Sequence, residues 1–494
     1  MERVLLINPA ENAPAWPTMP RAVEPMGLLY VAGAFKSAGV EVTLVDLQLG
    51  YGDLEMAYQE TVRGLFSSVG IALASQACLW SALKIAQDVK NLCPAVPVFT
   101  GGVFASLNAA WLLRTTSALD FVVVGEAEPF VFAFVARQGR WQGLPTVQDR
   151  TPGATRPRLP VQVFAASPLV SPDRSLTCSV IERGEAPAVV ASRGCGGGCS
   201  FCCISRYYGS KWQPRDIAAI CRELEALTER FGVRRFHLVD DNLFGHVRGA
   251  REWVVPFLQA LTQFDPPLSF KTTCRLDDLD ETLIPTIRRA GFDLLKIGIE
   301  TFSKQTQRVY GKPISRQAAA RKLDRLRETG VGVSLGFIMF DPYCSVADLQ
   351  ENLDFLLQYP DFWSRHLLRS ELIAYRGTRI EKLLGRHGLA ASESIMGTQW
   401  RFRDPEVAQI HRRFEHLLHS EILDAELKLH NHQQAVIQAG QTPARLGELG
   451  GLLQACWIDL FRHALENKSL TERTKRKLDL IRIGMSDFCE GEPP

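Results

Sequence analysis

Twice along this chain, short apolar runs alternate with stretches of helical period, and no other feature limits the fold as much. In the N-terminal part the runs fall at residues 3–8, 40–46, 69–75, 96–102 and 121–126. They are almost continuously apolar, as strands covered on both faces must be. The segment 25–39 has proline early and glycine just past its end, the asymmetry of a helix. Strands separated by helices pair in parallel, so residues 1–135 are predicted to form a doubly wound, Rossmann-like α/β sheet. A ligand then belongs at the carboxyl ends of the strands. The first turn lacks GxGxxG, which disfavours a dinucleotide.

The second alternation spans residues 187–395, with strand candidates at 189–192, 235–239, 268–273, 294–299, 332–339 and 366–374. Helical period marks 217–231, 282–291 and 316–329. Six strand–helix units are too few to close an eight-stranded barrel and predict a partial (β/α)6 one. Right-handed crossovers set all its strand ends on one rim. Between the two alternations, residues 136–186 are rich in proline, arginine, serine and glycine without period, the composition of a linker. Residues 396–494 are predicted to be a helical cap, with helices at 407–439, 446–463 and 470–483. His411, His416, His419, His430 and His432 are scattered along the first of these and suit solvated or satisfied histidines better than ligands.

The segment 192–203, Ser-Arg-Gly-Cys-Gly-Gly-Gly-Cys-Ser-Phe-Cys-Cys, sets Cys195, Cys199 and Cys202 at CxxxCxxC spacing among glycines. Thiolates are soft ligands for zinc or iron–sulfur. A structural zinc wants four closed ligands, usually from two separated pairs, and no second pair is present. Three cysteines on a four-iron cluster leave one iron open to a ligand. A disulfide is a poor fit, because the chain has no secretory signature and at 494 residues is too large to need stapling. Cys203, adjacent to Cys202, cannot easily face the same metal and receives no role.

The triplet with Phe201 before its last cysteine resembles the radical S-adenosylmethionine (SAM) superfamily. Tyr207-Tyr-Gly-Ser-Lys-Trp-Gln-Pro-Arg215 resembles the cobalamin-dependent branch. The resemblance implies a 4Fe–4S cluster on Cys195, Cys199 and Cys202, with SAM on the open iron and Phe201 against its adenine. It implies further SAM contacts from Asp240 and Asp241 after the second strand and from Glu300 after the fourth. Arg275, after the third, offers a two-pronged partner for a carboxylate. In the N-terminal sheet, Asp46, Ser75, Gly101, Gly102, Gly125 and Glu126 match landmarks of cobalamin-binding domains. Gln48 stands where a cobalt-ligating histidine would be, so cobalamin is expected without a protein imidazole beneath the metal.

The implied activity is C-methyl transfer to a natural-product intermediate or a peptide, with an external electron donor of flavodoxin or ferredoxin type. Radical rearrangement, oxidation or cyclisation without methyl transfer is the alternative, and a non-enzymatic cobalamin or iron–sulfur sensor the more distant one. Charge adds an exclusion: 56 basic residues against 54 acidic ones give no electrostatic case for nucleic acid. The longest apolar runs are strand-sized, far short of the ~20 residues that span a bilayer. The N-terminus opens on a strand-like run rather than a signal peptide, which predicts a cytoplasmic protein.

Overall fold

The computed structural model describes residues 2–11, 23–152, 157–159, 170–394, 397–428, 444–468 and 470–490. Strands β1 (Arg3–Asn8), β2 (Glu41–Asp46), β3 (Ser68–Ala72), β4 (Val98–Gly101) and β5 (Phe121–Val123) pair in parallel, in the order β2-β1-β3-β4-β5. Their successive side chains point to opposite faces, and both faces are covered. Leu5, Ile7, Val69 and Val98 pack with the helices Leu79–Leu92 and Val103–Thr115. Val4, Leu6, Phe99 and Phe121 pack with Met26–Ser37 and Glu128–Ala136. This is the doubly wound sheet the sequence predicts. Strand order reverses between β1 and β3, which opens a crevice at the strand ends.

The stretch 136–186 is not a free linker. Its β6 (Val147–Asp149) adds antiparallel to β5, and the helix Thr177–Glu182 buries Val180 in the same core. A three-residue strand carries too little period to be recognised in sequence. Arg174, from this stretch, ties the two halves together. Its guanidinium meets Glu24 at 3.1 Å on one side and Glu223, on the helix Ile217–Phe231, on the other. The fully buried Glu24 carboxylate also accepts from Ala188 N at 2.6 Å and from the Thr177 hydroxyl.

The second sheet runs in chain order. From β7 (Ala188–Val189), the chain leaves for a small antiparallel hairpin, β8 (Ser192–Gly194) and β9 (Trp212–Pro214), then returns. The strands β10 (Arg235–Leu238), β11 (Ser269–Arg275), β12 (Phe292–Glu300) and β13 (Gly332–Phe337) follow in parallel, in the order β7-β10-β11-β12-β13. The single expected strand 189–192 is thus divided between sheet and hairpin. One face carries Phe270, Leu295 and Leu335 into a core with Ile220, Leu224 and Leu227 of the helix Ile217–Phe231. That helix is started by the Asp216 carboxylate, which accepts from Ala219 N at 2.8 Å.

The sixth strand, expected at 366–374, does not form. Arg365–Arg369 is a 3-10 turn, and after it the segment makes isolated bridges, from Glu371 to Phe340 and from Ala374 to Thr398. Arg365 pairs with Glu426 and Arg369 with Glu415, so ion pairs at both ends draw this segment toward the C-terminal helices. A hairpin of β14 (Ala390–Ser394) and β15 (Gly397–Trp400) precedes the helices Pro405–Glu421, Ala444–Glu466 and Glu472–Glu490. The helix expected over 407–439 runs to Glu421, turns at Ile422 and resumes over 423–428, and residues 429–443, with His430 and His432, lie outside the described residues. Phe414, Trp457 and Phe461 join the barrel's own core, with Phe461 5.9 Å from Phe340. The C-terminal helical cap therefore packs into the barrel's own core. His411 is satisfied by Glu371 at 2.8 Å. Among the described residues, no helix is long and apolar enough to cross a membrane.

Candidate active site

The cysteine loop, residues 195–211, hangs from the β8–β9 hairpin. Asp240 fixes the root of that hairpin: it accepts from Ser192 N, the Ser192 hydroxyl and Ala191 N, and Trp212 Nε1 donates to the same hydroxyl at 3.0 Å. Burial pushes the Asp240 carboxyl up to about 6. Its neighbour Asp241 points into the open space between the two sheets and is raised to about 7 by burial and by Cys202. Of the expected carboxylate pair, Asp240 is spent on the scaffold and Asp241 faces the site.

Close packing explains the loop's glycines. A Cβ on Gly196 would stand 2.6 Å from the His246 carbonyl oxygen, and Gly196 has φ +80°. A Cβ on Gly197 would lie 2.8 Å from Arg275 Nη1 and 3.3 Å from Cys195 Sγ. His246 N donates to Cys195 O at 2.9 Å, and Ser200 Oγ to Val309 O at 2.7 Å, which holds the loop to the rim. Burial raises the thiols of Cys195, to about 11, and of Cys199. Cys202 is instead held below the usual thiol range by a hydrogen bond from the Cys203 thiol. The Cys203 side chain thus supports a neighbouring sulfur.

Three further rim positions differ in what they do. Glu300 sits where β12 slips register against β13, in the left-handed region at φ +72°. Such strain is held only where its surroundings fix it, and often at functional sites. Its carboxylate accepts from Lys312 Nζ at 2.7 Å, and Lys312 also donates to Gly298 O at 2.8 Å. Phe201 packs against Tyr310, ring centres 4.7 Å apart, and the buried Tyr310 hydroxyl has no partner among the described residues. Lys312 and Tyr310 were missed in the sequence; a lysine between Gly311 and Pro313 directly after a helix was the available signal. Arg275 offers the fork that was expected of it, but the carboxylate it holds is the chain's own Asp277, at 3.0 and 2.6 Å.

A cavity of about 400 Å³ lies between the two sheets. Gly101, Gly102, Gly125 and Glu126 line it from the N-terminal strand ends, and Arg193, Tyr207, Tyr208 and Asp241 from the barrel side. Gly102 has φ +110°, and a Cβ there would meet Leu73 O at 2.9 Å. Arg193 bridges the halves, pairing with Glu126 and, at 2.6 Å, with Glu128, and lying over the Tyr30 ring. Ser75 is exposed and caps the turn Gln76–Cys78 through Ala77 N, away from the cavity wall. Asp46 is buried and accepts from Asn8, Gln48 N and Leu49 N, while the Gln48 amide donates to Pro9 O at 2.9 Å.

The donor sets suit the cofactors expected of them. Three cysteine sulfurs come from one tight loop, with the Arg275 guanidinium donating to Cys199 Sγ, and thiolates are the soft donor set that an iron–sulfur cluster needs. The cavity has Gly101, Gly102 and Gly125 at the N-terminal strand ends and the buried Tyr30 hydroxyl in its wall, and among the described residues that hydroxyl has no partner and no histidine lines the space.

Comparison with known proteins agrees. Residues 189–356 match the Radical SAM superfamily and residues 18–134 the B12 binding domain, together more than half of the chain. An uncharacterized methyltransferase of Pyrococcus horikoshii is 22% identical over 76% of this chain and 82% of its own. The anaerobic magnesium-protoporphyrin IX monomethyl ester cyclase of Rubrivivax gelatinosus is 24% identical over 68% of this chain and 62% of its own. In fold, the chain is similar to the cobalamin-dependent S-adenosylmethionine radical enzyme OxsB with aqua-cobalamin bound, at TM-score 0.79 and 14% identity, over 98% of this chain and 75% of that one. A B12-binding sheet followed by a radical SAM barrel, with the cysteine triplet at their junction, makes this chain a member of the cobalamin-dependent radical SAM enzymes, whose cofactors are a 4Fe–4S cluster, SAM and cobalamin.

Proposed function

We propose that the protein is a C-methyltransferase acting on a small molecule or a peptide. The observation that carries this reading is the shared cavity: Gly101, Gly102 and Gly125 of one sheet face Tyr207, Tyr208 and Asp241 of the other across a single space. When bound, the cluster and SAM supply one-electron chemistry at an unreactive carbon, and cobalamin supplies the methyl group. The chain's part is to bind, orient and exclude water. Cys195, Cys199 and Cys202 would hold the cluster. Phe201, Asp241 and Glu300 would hold SAM, and the glycines at the N-terminal strand ends would hold cobalamin. Arg193, with Glu126 and Glu128, keeps the two walls in register, so that reacting groups meet within van der Waals reach. Electrons come from an external donor of flavodoxin or ferredoxin type.

The name of the Rubrivivax relative supports a second reading, ring formation without methyl transfer. Methyl-labelled SAM separates the two. Label in the product, with 5′-deoxyadenosine released, is the expected result; unlabelled product with 5′-deoxyadenosine favours ring formation. The electron paramagnetic resonance spectrum of bound cob(II)alamin should lack nitrogen splitting from a histidine. Splitting that changes when the protein's histidines carry nitrogen-15 would show that an imidazole elsewhere in the chain reaches cobalt.

A further inference from the structure

Arg275 stands at the carboxyl end of β11 with its side chain only 7% exposed, and its donors are already assigned. Nε and Nη2 grip Asp277, while Nη1 donates to Cys199 Sγ at 2.9 Å. The absence of a side chain at Gly197 makes room for that nitrogen, because a Cβ there would crowd it at 2.8 Å. The backbone of Arg275 is fixed as well: its N–H donates to Asn242 Oδ1 at 3.0 Å. The fully buried Asn242 amide reaches Asp278 at 2.8 Å and the Cys195 carbonyl at 3.3 Å. A guanidinium that is always charged is therefore held, by groups on both sides, against one sulfur of the triplet.

We propose that Arg275 is a positioning residue for the cluster's electronics: it sets the reduction potential through the Cys199 sulfur, and Asp277 aims it. Potentials of iron–sulfur centres follow net charge and hydrogen bonds to the sulfurs. Reduction by the external donor adds one electron and no proton. A fixed cation beside a ligating sulfur stabilises that added charge, and so makes the cluster easier to reduce. This inference rests on the cofactor assignment above, and the two fail differently. A wild-type chain that assembles no cluster defeats the assignment, whereas an unchanged potential in the variants defeats only the role of Arg275.

The test is a potentiometric titration followed by electron paramagnetic resonance, with iron counted per chain, on the anaerobic full-length protein and on Arg275→Gln and Arg275→Lys. At a fixed potential, Arg275→Gln should hold about tenfold less reduced cluster relative to oxidised, equivalent to a midpoint about 59 mV lower for one electron. Arg275→Lys should fall between it and the wild type, because it keeps the charge and loses the fork. Full iron with the wild-type midpoint in both variants overturns the proposal. So does a loss confined to SAM affinity. Should Arg275→Gln fail to hold iron, Arg275→Lys decides: a lowered midpoint supports the proposal, and an unchanged midpoint or lost iron overturns it.

Discussion

The two sheets of this protein are built from the same unit and solve opposite problems. In the N-terminal sheet the strand order reverses, helices cover both faces, and strands such as β1 are buried almost throughout. Only the strand ends are left for a ligand. In the barrel the strands follow chain order, and burial alternates along them: Val333, Leu335 and Phe337 turn to the helices, Ser334 and Gly336 to the other face. That second face continues through Gly298 and Glu300 of β12 to Arg275 of β11. One sheet thus offers an edge and the other a lined interior. Their meeting place is a cavity neither could form alone.

The contrast can be broken at either partner. The largest effect should come from Cys199→Ala, as from Cys195→Ala or Cys202→Ala: iron content falls to background while cobalamin retention is unchanged. Joint loss of both cofactors would show that the sheets do not bind independently. Cys203→Ala, which removes only a hydrogen bond to Cys202, should keep its iron.

Arg193→Ala attacks the joint instead. Removing one partner of a buried ion pair costs about 3–5 kcal/mol, and here two carboxylates lose their cation. Denaturant unfolding should register a loss of that size, with both cofactors still binding to separately intact sheets. Glu300→Ala sharpens the barrel side: SAM affinity should fall by about 1.5–3 kcal/mol with iron content normal. Full SAM affinity would reduce Glu300 to a partner of Lys312.

The most gradual effect is a pH slope. Burial pushes the Asp341 carboxyl to about 7, although Tyr343 N and the Thr306 hydroxyl donate to it. Its folded value lies above that of the unfolded chain, so the native state binds the proton more tightly. Stability from this group is greatest in acid and falls as pH rises from about 4 to 7, by at most about 1.4 kcal/mol per pH unit, with no further loss above. Asp341→Asn should flatten that slope in denaturation series between pH 5 and 8. An identical slope in the variant would assign the titration to another group.

What could be read in advance follows the same division. The doubly wound sheet was legible because both-face burial writes continuous apolar runs, and the cysteine triplet because its spacing is local. What escaped reading depends on partners distant in the chain. The segment 366–374 looks like a strand until Glu415 pulls on its Arg369 and Glu426 on the preceding Arg365. β6 is too short to show a period. Asp240 and Asp241 are adjacent and chemically alike, and only the fold makes one a brace for Ser192 and the other a wall of the cavity. Arg275 was recognisable as a receiver of carboxylates. That Asp277, two residues on, would be the carboxylate required the turn after β11.

The Glu24 junction bears on how such a chain can be cut and recombined. A fragment ending near residue 135 would leave β5 with an unpaired edge, because β6 lies beyond the cut. It would also strand the Glu24 carboxylate without Arg174, Thr177 and the Ala188 amide. The portable module therefore extends to the first strand of the barrel. Grafting the N-terminal half between relatives would have to carry residues 147–188 along with it, or supply a neutral residue at position 24.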